Sequence, residues 1–400
     1  MEIKKIFSSI YKWEYLWLCL MVIITLVMHF SIINDVKVPI LDEVYYAGYY
    51  PEQQGDLHYG DAYNILNLHS DARPEHPPLA KLFIATGIAI LGDNPVGWRT
   101  PAVVFGTISI VLLYFICRRL NMSRRASNIA TFLFAFENFS FMLASIAMLD
   151  VFFLTLVLAF FLLYLNRKYF SSGIFIGLAA LAKLFAAMGT PALFVHWIFT
   201  KTRQTRWFIA TVVLAPVSFV GFLTLFDFVI TRNWANPLTR IKDMLSLSGS
   251  LTFANTSHTA SSRPWEWLLN YRPMAFWYSP HYTGAVSPSV WALIIPVVLY
   301  MVYRAVRRND AGLFGFSWFL GTYLLWIPIS IFTDRISFIF YFYPSIGAFC
   351  LGLGMGLNEA LEWVSPRTRK VKMPVIGGIT AFFLFHIASF IVLSPVFFRT

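Results

Sequence analysis

Long apolar blocks with at most one charge set the first limit on this chain. "YLWLCLMVIITLVMHFSII", "VFFLTLVLAFFLLYL" and "WFIATVVLAPVSFVGFLTLFDFVI" are examples. Each approaches the roughly 20 residues that carry a helix across the hydrocarbon core of a bilayer. In lipid the backbone must satisfy its own hydrogen bonds, so such blocks are helices. Of the 400 residues, 58% are hydrophobic and 13% charged; a soluble domain carries about 25% charged residues. The expected fold class is an all-α polytopic membrane protein. The first block is too long, and too deep in the chain, for a cleaved signal peptide, and reads as the first membrane helix.

Eleven spans are expected, at 15–33, 100–117, 126–145, 151–165, 173–186, 188–200, 207–230, 289–306, 312–332, 337–357 and 374–394. The block 79–91 is too short to cross and is expected to lie at the interface. With the N-terminus inside, "MEIKK", "RRLNMSRR", "NRK", "KTRQTR", "RAVRR" and "RTRKVK" fall on one side and hold most of the 31 Lys and Arg. Short basic loops mark the cytoplasmic side, and a crossing at 79–91 would scatter them to both sides. The net charge of +11 is thus topological and lipid-facing, not a nucleic-acid footprint. The expected chain is a single integral membrane domain, 1–400, with two long outer loops at 34–99 and 231–288. The N-terminus is expected in the cytoplasm, and the active site and C-terminus on the outer side. Cys19, Cys117 and Cys350 lie in apolar blocks without metal-ligand spacing, which reads as packing. The spacings call for no metal cluster and no cofactor is required, although acids beside a phosphate could recruit a divalent cation.

Acids are rare here, so their places inform. Asp42 and Glu43, in "LDEVYYAGYY", follow the first span directly, and Asp150, in "SIAMLD", closes the third on the same side. Charges at such positions are costly and functional by default, although acids at helix ends also simply meet water. "EHPPLAK" brings His76 and Lys81 to a helix start, where proline's missing N–H costs little. Lys183 sits near the outer end of an apolar span, where it either snorkels or holds an anion. Arg335, in "TDRISFIFYFYP", opens the tenth span on that side. Two cations and two acids at a lipid–water boundary suit one chemistry: cations hold a lipid-linked phosphate while an acid handles a proton. Tyr45, Tyr46, Trp265 and Trp267 read either as a sugar or peptide groove or as the ordinary aromatic belt. Asn255-Thr-Ser fits a glycosylation acceptor. Glu137, mid-span in "FAFENFSF", is the feature a transporter explains more naturally, but no repeat symmetry accompanies it.

Taken together, "LDEVYY", "HPPLAKLFIA", "GWRTPAVVFGTISIVLLYFICRRL", "ASIAMLDVFF", "SSRPWEWLLNYRPMAFWY" and "DRISFIFYFYPSIGAF" resemble the protein O-mannosyltransferase family, within the C-type glycosyltransferases that use polyprenyl-phosphate sugars. The resemblance runs from residue 41 to about 349. It implies a GT-C type glycosyltransferase fold with about 11 transmembrane helices and interfacial helices in the first outer loop. It implies inverting transfer of a sugar, mannose first, from a polyprenyl (dolichyl) phosphate to Ser or Thr hydroxyls of proteins. On this resemblance Asp42 is the catalytic base, and the other catalytic residues, Glu43 and Asp150, orient the acceptor or the base. Lys183 and Arg335 hold the donor phosphate. Tyr45, Tyr46, His76, Lys81, His258, Trp265 and Trp267 line the substrate groove. The partners implied are the donor, a protein or peptide acceptor and membrane lipids, with no nucleic acid; whether the chain works alone or as a dimer stays open. Eukaryotic members carry a β-trefoil in the second long outer loop, which is too short for one here, so a minimal member in a prokaryotic plasma membrane is expected. One departure is Ser145, where the family often has an Arg five residues before the second Asp. The same fold acting on a lipid or cell-surface glycan, as in the aminoarabinose transferases, is the alternative. Those enzymes usually carry an outer domain after the last span, and this chain ends a few residues past its eleventh. A transporter or flippase is the more distant reading.

Overall fold

The structure, a computed structural model, describes residues 14–51, 57–200 and 204–398. The basic residues at 1–13 and 201–203 that enter the topology argument lie outside the described residues. After α1 (Leu16–Ile32), a long loop holds α2 (Glu43–Tyr46), the antiparallel pair β1 (Tyr49–Pro51) and β2 (Leu57–Tyr59), α3 (Asp61–Leu68) and α4 (Leu79–Leu91). There follow α5 (Pro95–Arg119), α6 (Arg124–Ala135), α7 (Asn138–Leu143), α8 (Leu149–Leu165), α9 (Tyr169–Ala182), α10 (Gly189–Phe199) and α11 (Thr205–Thr231). A second long loop carries α12 (Pro237–Ser250), α13 (Glu266–Leu269) and the hairpin of β3 (Met274–Trp277) and β4 (Tyr282–Gly284). The chain ends with α14 (Pro288–Trp291), α15 (Ile294–Val306), α16 (Asp310–Phe319), α17 (Trp326–Thr333), α18 (Ile346–Val364) and α19 (Arg369–Leu393).

Each of the eleven expected blocks is helical, and the protein is an all-α polytopic integral membrane protein. Among the described residues, five helical runs are long and apolar enough to cross a membrane: Pro95–Arg119, Thr205–Thr231, Asp310–Thr333, Ile339–Val364 and Arg369–Leu393. Their burial sorts them. The apolar stretch of Ile339–Val364 is 89% buried and forms the centre, whereas those of α11 and α19 are each 17% buried and turn Val213, Val217 and Leu384 outward. Apolar side chains facing away from the protein are what lipid requires. Close packing at the centre depends on small residues: a Cβ at Gly354 of α18 would stand 2.6 Å from the carbonyl oxygen of Ala126 at the start of α6.

Of the breaks within the expected spans, two position polar groups. The block 126–145 divides at Glu137, which caps α7 by accepting from Ser140 N at 2.8 Å and also accepts from Ser287 N at 2.7 Å. Glu137 therefore has its acceptor sites filled by backbone donors. It ties α7 to the end of the second long loop, which answers the one feature that favoured a transporter. The block 173–186 stops at Ala182, because Lys183 is extended, with φ −159° and ψ 128°, and a 3₁₀ turn (Leu184–Met188) follows.

The short basic connections meet at one end of the bundle. Arg118 and Arg124 approach Glu14 at 3.6 and 3.5 Å, Arg119 donates to Leu165 O, and Arg125 pairs with Glu362. The two long loops meet each other at the opposite end. There α12 is fixed to the first loop through Arg240, which donates to Pro74 O and pairs with Asp71 at 2.5 Å.

Candidate active site

The segment after α1 turns sharply at Leu41, whose φ of 48° is uncommon for a branched side chain. The single turn of α2 then sends Asp42 and Glu43 in different directions. Glu43 points inward and is fully buried. Its carboxylate accepts from Arg99 Nε at 2.9 and 3.2 Å, Arg99 Nη2 at 2.8 Å, Ile40 N at 2.7 Å and Ala147 N at 2.6 Å. Arg99, near the start of α5, spends its other donors on the carbonyls of Ile33, Val36 and Val38. Every polar atom of this pair is engaged. The expectation that Glu43 takes part in the chemistry is therefore corrected: it fastens the Asp42 turn to the strand of chain leading into Asp150.

Asp42 remains partly exposed, and among the described residues its side chain accepts no hydrogen bond. Burial of its surroundings pushes its carboxyl up to about 6; Lys183 and His258 pull it down and Asp150 pushes it up. Lys183, Asp150 and His258 are thus the ionisable groups within electrostatic reach of Asp42. Asp150 lies in the first turn of α8, where the helix N-terminus favours an anion. It accepts from Lys183 Nζ at 2.8 and 2.9 Å, and both side chains are almost fully buried. The helix break at Lys183 gives this contact its geometry. Its ammonium lies 5.8, 5.2 and 5.2 Å from the ring centroids of Phe153, Phe340 and Tyr341. A cation so enclosed keeps strong interactions because water is excluded. Beside the pair opens a mainly apolar cavity, lined by Phe153, Val157, Phe185, Trp326 and Tyr341.

Arg335 meets the cavity lining at Phe185, its guanidinium 5.3 Å from that ring, with Nε buried and, among the described residues, without a hydrogen-bond partner. Tyr46 packs edge-on to His76 at 5.8 Å. Burial, followed by Lys183, Lys81 and Arg335, drives the His76 imidazole down to about 3, so it is neutral. Burial, with Asp42 and Asp150 next, raises the Tyr46 phenol, so it stays a donor. His258 is exposed and edge-on to Phe338 at 5.3 Å. Thus Asp42, Asp150, Lys183, Arg335, Tyr46, His76 and His258 gather in one region beside this cavity, the candidate chamber.

Four of the expected groove residues fall elsewhere or at its margin. Lys81 is fully buried and held by Asp61 at 3.0 Å, Asp71 at 2.6 Å and Arg73 O at 2.6 Å. Arg73 also pairs with Asp61, and Arg240 with Asp71 and Asp227. Lys81 therefore belongs to an ionic knot that joins the two long loops, not to a groove. Trp267 is fully buried, donates to Ser262 Oγ at 2.9 Å and packs on Tyr323, Trp326 and Phe342, which makes it core. Tyr45 is exposed beneath Arg73, at 4.9 Å, and Trp265 is exposed beside Arg263, at 5.8 Å. Ser145 accepts or donates to His29 Nδ1 at 3.0 Å and donates to Phe141 O, so this position makes a local anchor. Among the described residues no group of three or more His, Cys, Asp or Glu is placed to hold a metal ion.

The model of the dolichyl-phosphate-mannose-protein mannosyltransferase family matches residues 75–229. A Mycobacterium tuberculosis protein named polyprenol-phosphate-mannose–protein mannosyltransferase is 24% identical over 431 residues, covering 86% of this chain and 80% of its own. Among solved structures, a chain of the S. cerevisiae protein O-mannosyltransferase Pmt1–Pmt2 complex bound to the sugar donor matches with a TM-score of 0.73 at 11% identity, covering 97% of this chain and 90% of that one. ArnT from Cupriavidus metallidurans in the apo state matches at 0.62 and 15% identity, covering 96% and 76%. The fold is that of the GT-C glycosyltransferases, and over residues 75–229 the chain is similar to the dolichyl-phosphate-mannose-protein mannosyltransferase family.

Proposed function

We propose that the protein is an inverting glycosyltransferase that moves mannose from a polyprenyl phosphate to Ser or Thr hydroxyls of proteins, on the outer side of a prokaryotic plasma membrane. The observation that carries this reading is the Asp42 carboxyl, without a hydrogen bond among the described residues and raised to about 6, within electrostatic reach of a buried Lys183–Asp150 pair beside an apolar cavity. The names and ligands of the mycobacterial and yeast relatives support it.

A hydroxyl is a weak nucleophile until a base takes its proton, and a base works best with a pKa near the working pH. Asp42 accepts that proton. The hydroxyl oxygen forms a bond to the anomeric carbon from the face opposite the phosphate. The bond from that carbon to the phosphate oxygen breaks, and its electron pair leaves with the polyprenyl phosphate. One displacement inverts the centre. Lys183 and Arg335 stabilise the charge that grows on the leaving phosphate, and Asp150 aims Lys183 at it. Neutral His76 and the Tyr46 hydroxyl are placed to hydrogen-bond the sugar.

The test is transfer of radiolabelled mannose from a polyprenyl phosphate to a Ser/Thr-rich peptide, with purified protein in nanodiscs. Transfer by the wild type that is lost in Asp42→Asn is the expected result. Equal transfer by both proteins overturns Asp42 as base. Free mannose without labelled peptide sends the acceptor to a lipid or glycan.

A further inference from the structure

The second long loop contains "TFANTSHTASS", Thr252 to Ser262, a run rich in hydroxyl side chains. Backbone pairing pins both of its ends to the segment that carries Arg335. Thr252 pairs antiparallel with Arg335, and Ser261 with Phe338. Phe253 N donates to Asp334 O at 2.9 Å, Ile336 N to Leu251 O at 3.0 Å, and Ser262 N to Ser337 O at 2.9 Å. Between these pins residues 253–260 form an arch. It stands close to the chamber: His258 in the arch meets Phe338, Phe338 stacks on Phe340 at 5.3 Å, and the Phe340 ring lies 5.2 Å from Lys183 Nζ.

The hydroxyls of this run divide into two sets. Thr252 Oγ1 accepts from Asn255 N, Ser261 Oγ donates to His258 O, and Ser262 Oγ accepts from Trp267 Nε1. Those three hold the pins. The hydroxyls of Thr256, Ser257 and Thr259 have no hydrogen-bond partner among the described residues, and Ser257 and Thr259 are exposed. Past Ala254, whose N donates to Asp334 Oδ2 at 3.2 Å, the backbone–backbone bonds of the arch among the described residues are turn bonds, such as Thr256 N to Thr252 O and Ser261 N to His258 O. Such a segment opens at low cost compared with a packed strand.

We propose that this arch is an internal acceptor: the enzyme transfers sugar to its own Thr256, Ser257 or Thr259 when no protein substrate occupies the chamber. The inference rests on the transfer reading above and names a further substrate of the same site. The step is the same displacement. A threonine or serine Oγ bonds to the anomeric carbon, its proton passes to Asp42, and polyprenyl phosphate leaves with the electron pair of the broken bond. Tethering favours it, since a loop anchored beside the site presents its hydroxyls at an effective concentration on the order of millimolar.

The experiment uses the full chain in nanodiscs with radiolabelled polyprenyl-phosphate mannose, with and without a Ser/Thr-rich peptide, and maps label by fragmentation mass spectrometry. Without peptide, label is expected on Thr256, Ser257 or Thr259, at a rate independent of protein concentration, and falling as peptide is added. The triple variant Thr256→Ala, Ser257→Ala, Thr259→Ala is expected to lose self-label and keep transfer to peptide. Wild-type protein mixed with Asp42→Asn is expected to leave the variant's arch unlabelled. Labelled peptide with an unlabelled arch overturns the internal acceptor and leaves the enzyme reading standing. Label on the Asp42→Asn chain in the mixture also overturns it, since the transfer is then between molecules. Failure to label either acceptor removes the transfer reading, and the inference with it.

Discussion

Arg99 donates to Glu43 from both Nε and Nη2, and both side chains are fully buried. The pair joins α5, the turn after α1 and the chain entering α8 at a single point. Removing one partner leaves the other charged in a site without water, which typically costs about 3–5 kcal/mol. Glu43→Gln and Arg99→Met are therefore expected to lower thermal stability in detergent by that order, whereas Asp42→Asn is not. Melting curves of the three variants check it. A Glu43→Gln protein as stable as wild type but inactive would return Glu43 to the chemistry.

Asp42 predicts two pH effects of opposite sense. Its carboxyl ionises at about 6 in the folded protein against 3.8 in an unfolded chain. A base must be unprotonated, so transfer is expected to fall as pH drops through about 6. Stability runs the other way. Between those values the folded state binds the extra proton, so stability declines as pH rises through this window. Asp42→Asn should therefore melt higher than wild type above pH 6, and the advantage should vanish below 3.8. Melting temperatures across pH, beside the pH–rate profile of the wild type, test both. An Asn variant less stable than wild type at neutral pH would contradict the arrangement.

Lys81 separates a structural cation from a substrate-binding one. It lies between Asp61 and Asp71, and burial still pushes the Asp61 carboxyl up despite the lysine. Lys81→Met is expected to loosen the contact of the first long loop with Arg240 on α12, lowering stability by roughly 3–5 kcal/mol. Among molecules that remain folded, the KM for donor is expected to stay at the wild-type value. A raised donor KM with unchanged stability would put Lys81 back in the groove.

Much of this was legible in the sequence, for a reason that belongs to the bilayer. Apolar blocks must be helices in lipid, and their basic ends group together, so the order of the bundle follows from composition. The gathering of Asp42, Asp150, Lys183 and Arg335 followed from their places at span ends. The roles of neighbours did not. Asp42 and Glu43 are adjacent in the chain, and only the turn at Leu41 decides which faces the chamber. Lys81 looked like a site cation because its acids, Asp61 and Asp71, lie far back along an irregular loop. Arg99 stands at the boundary between the first outer loop and the span 100–117, and nothing local marks it as the partner of Glu43. The break at Lys183 left no local mark: "LAALAKLFAAM" has the composition of a continuous helix, and the interruption goes with the long-range contact to Asp150.

That contact yields the sharpest test of the donor site. Lys183→Met alone leaves Asp150 buried and uncompensated, so lost activity in that variant mixes instability with lost chemistry. The double variant Lys183→Met, Asp150→Asn removes both charges while nearly preserving volume. Replacing a buried ion pair by uncharged groups is often neutral for stability, so the double variant is expected to melt close to wild type and well above the single one. If Lys183 holds the leaving phosphate, the double variant should still have lost transfer, because stabilising that charge typically contributes roughly 100- to 1,000-fold in rate. Binding of polyprenyl phosphate itself, followed by native mass spectrometry or by thermal shift, should weaken in parallel. A stable double variant that transfers sugar at the wild-type rate would move the phosphate away from Lys183 and leave Arg335 as the cation to examine.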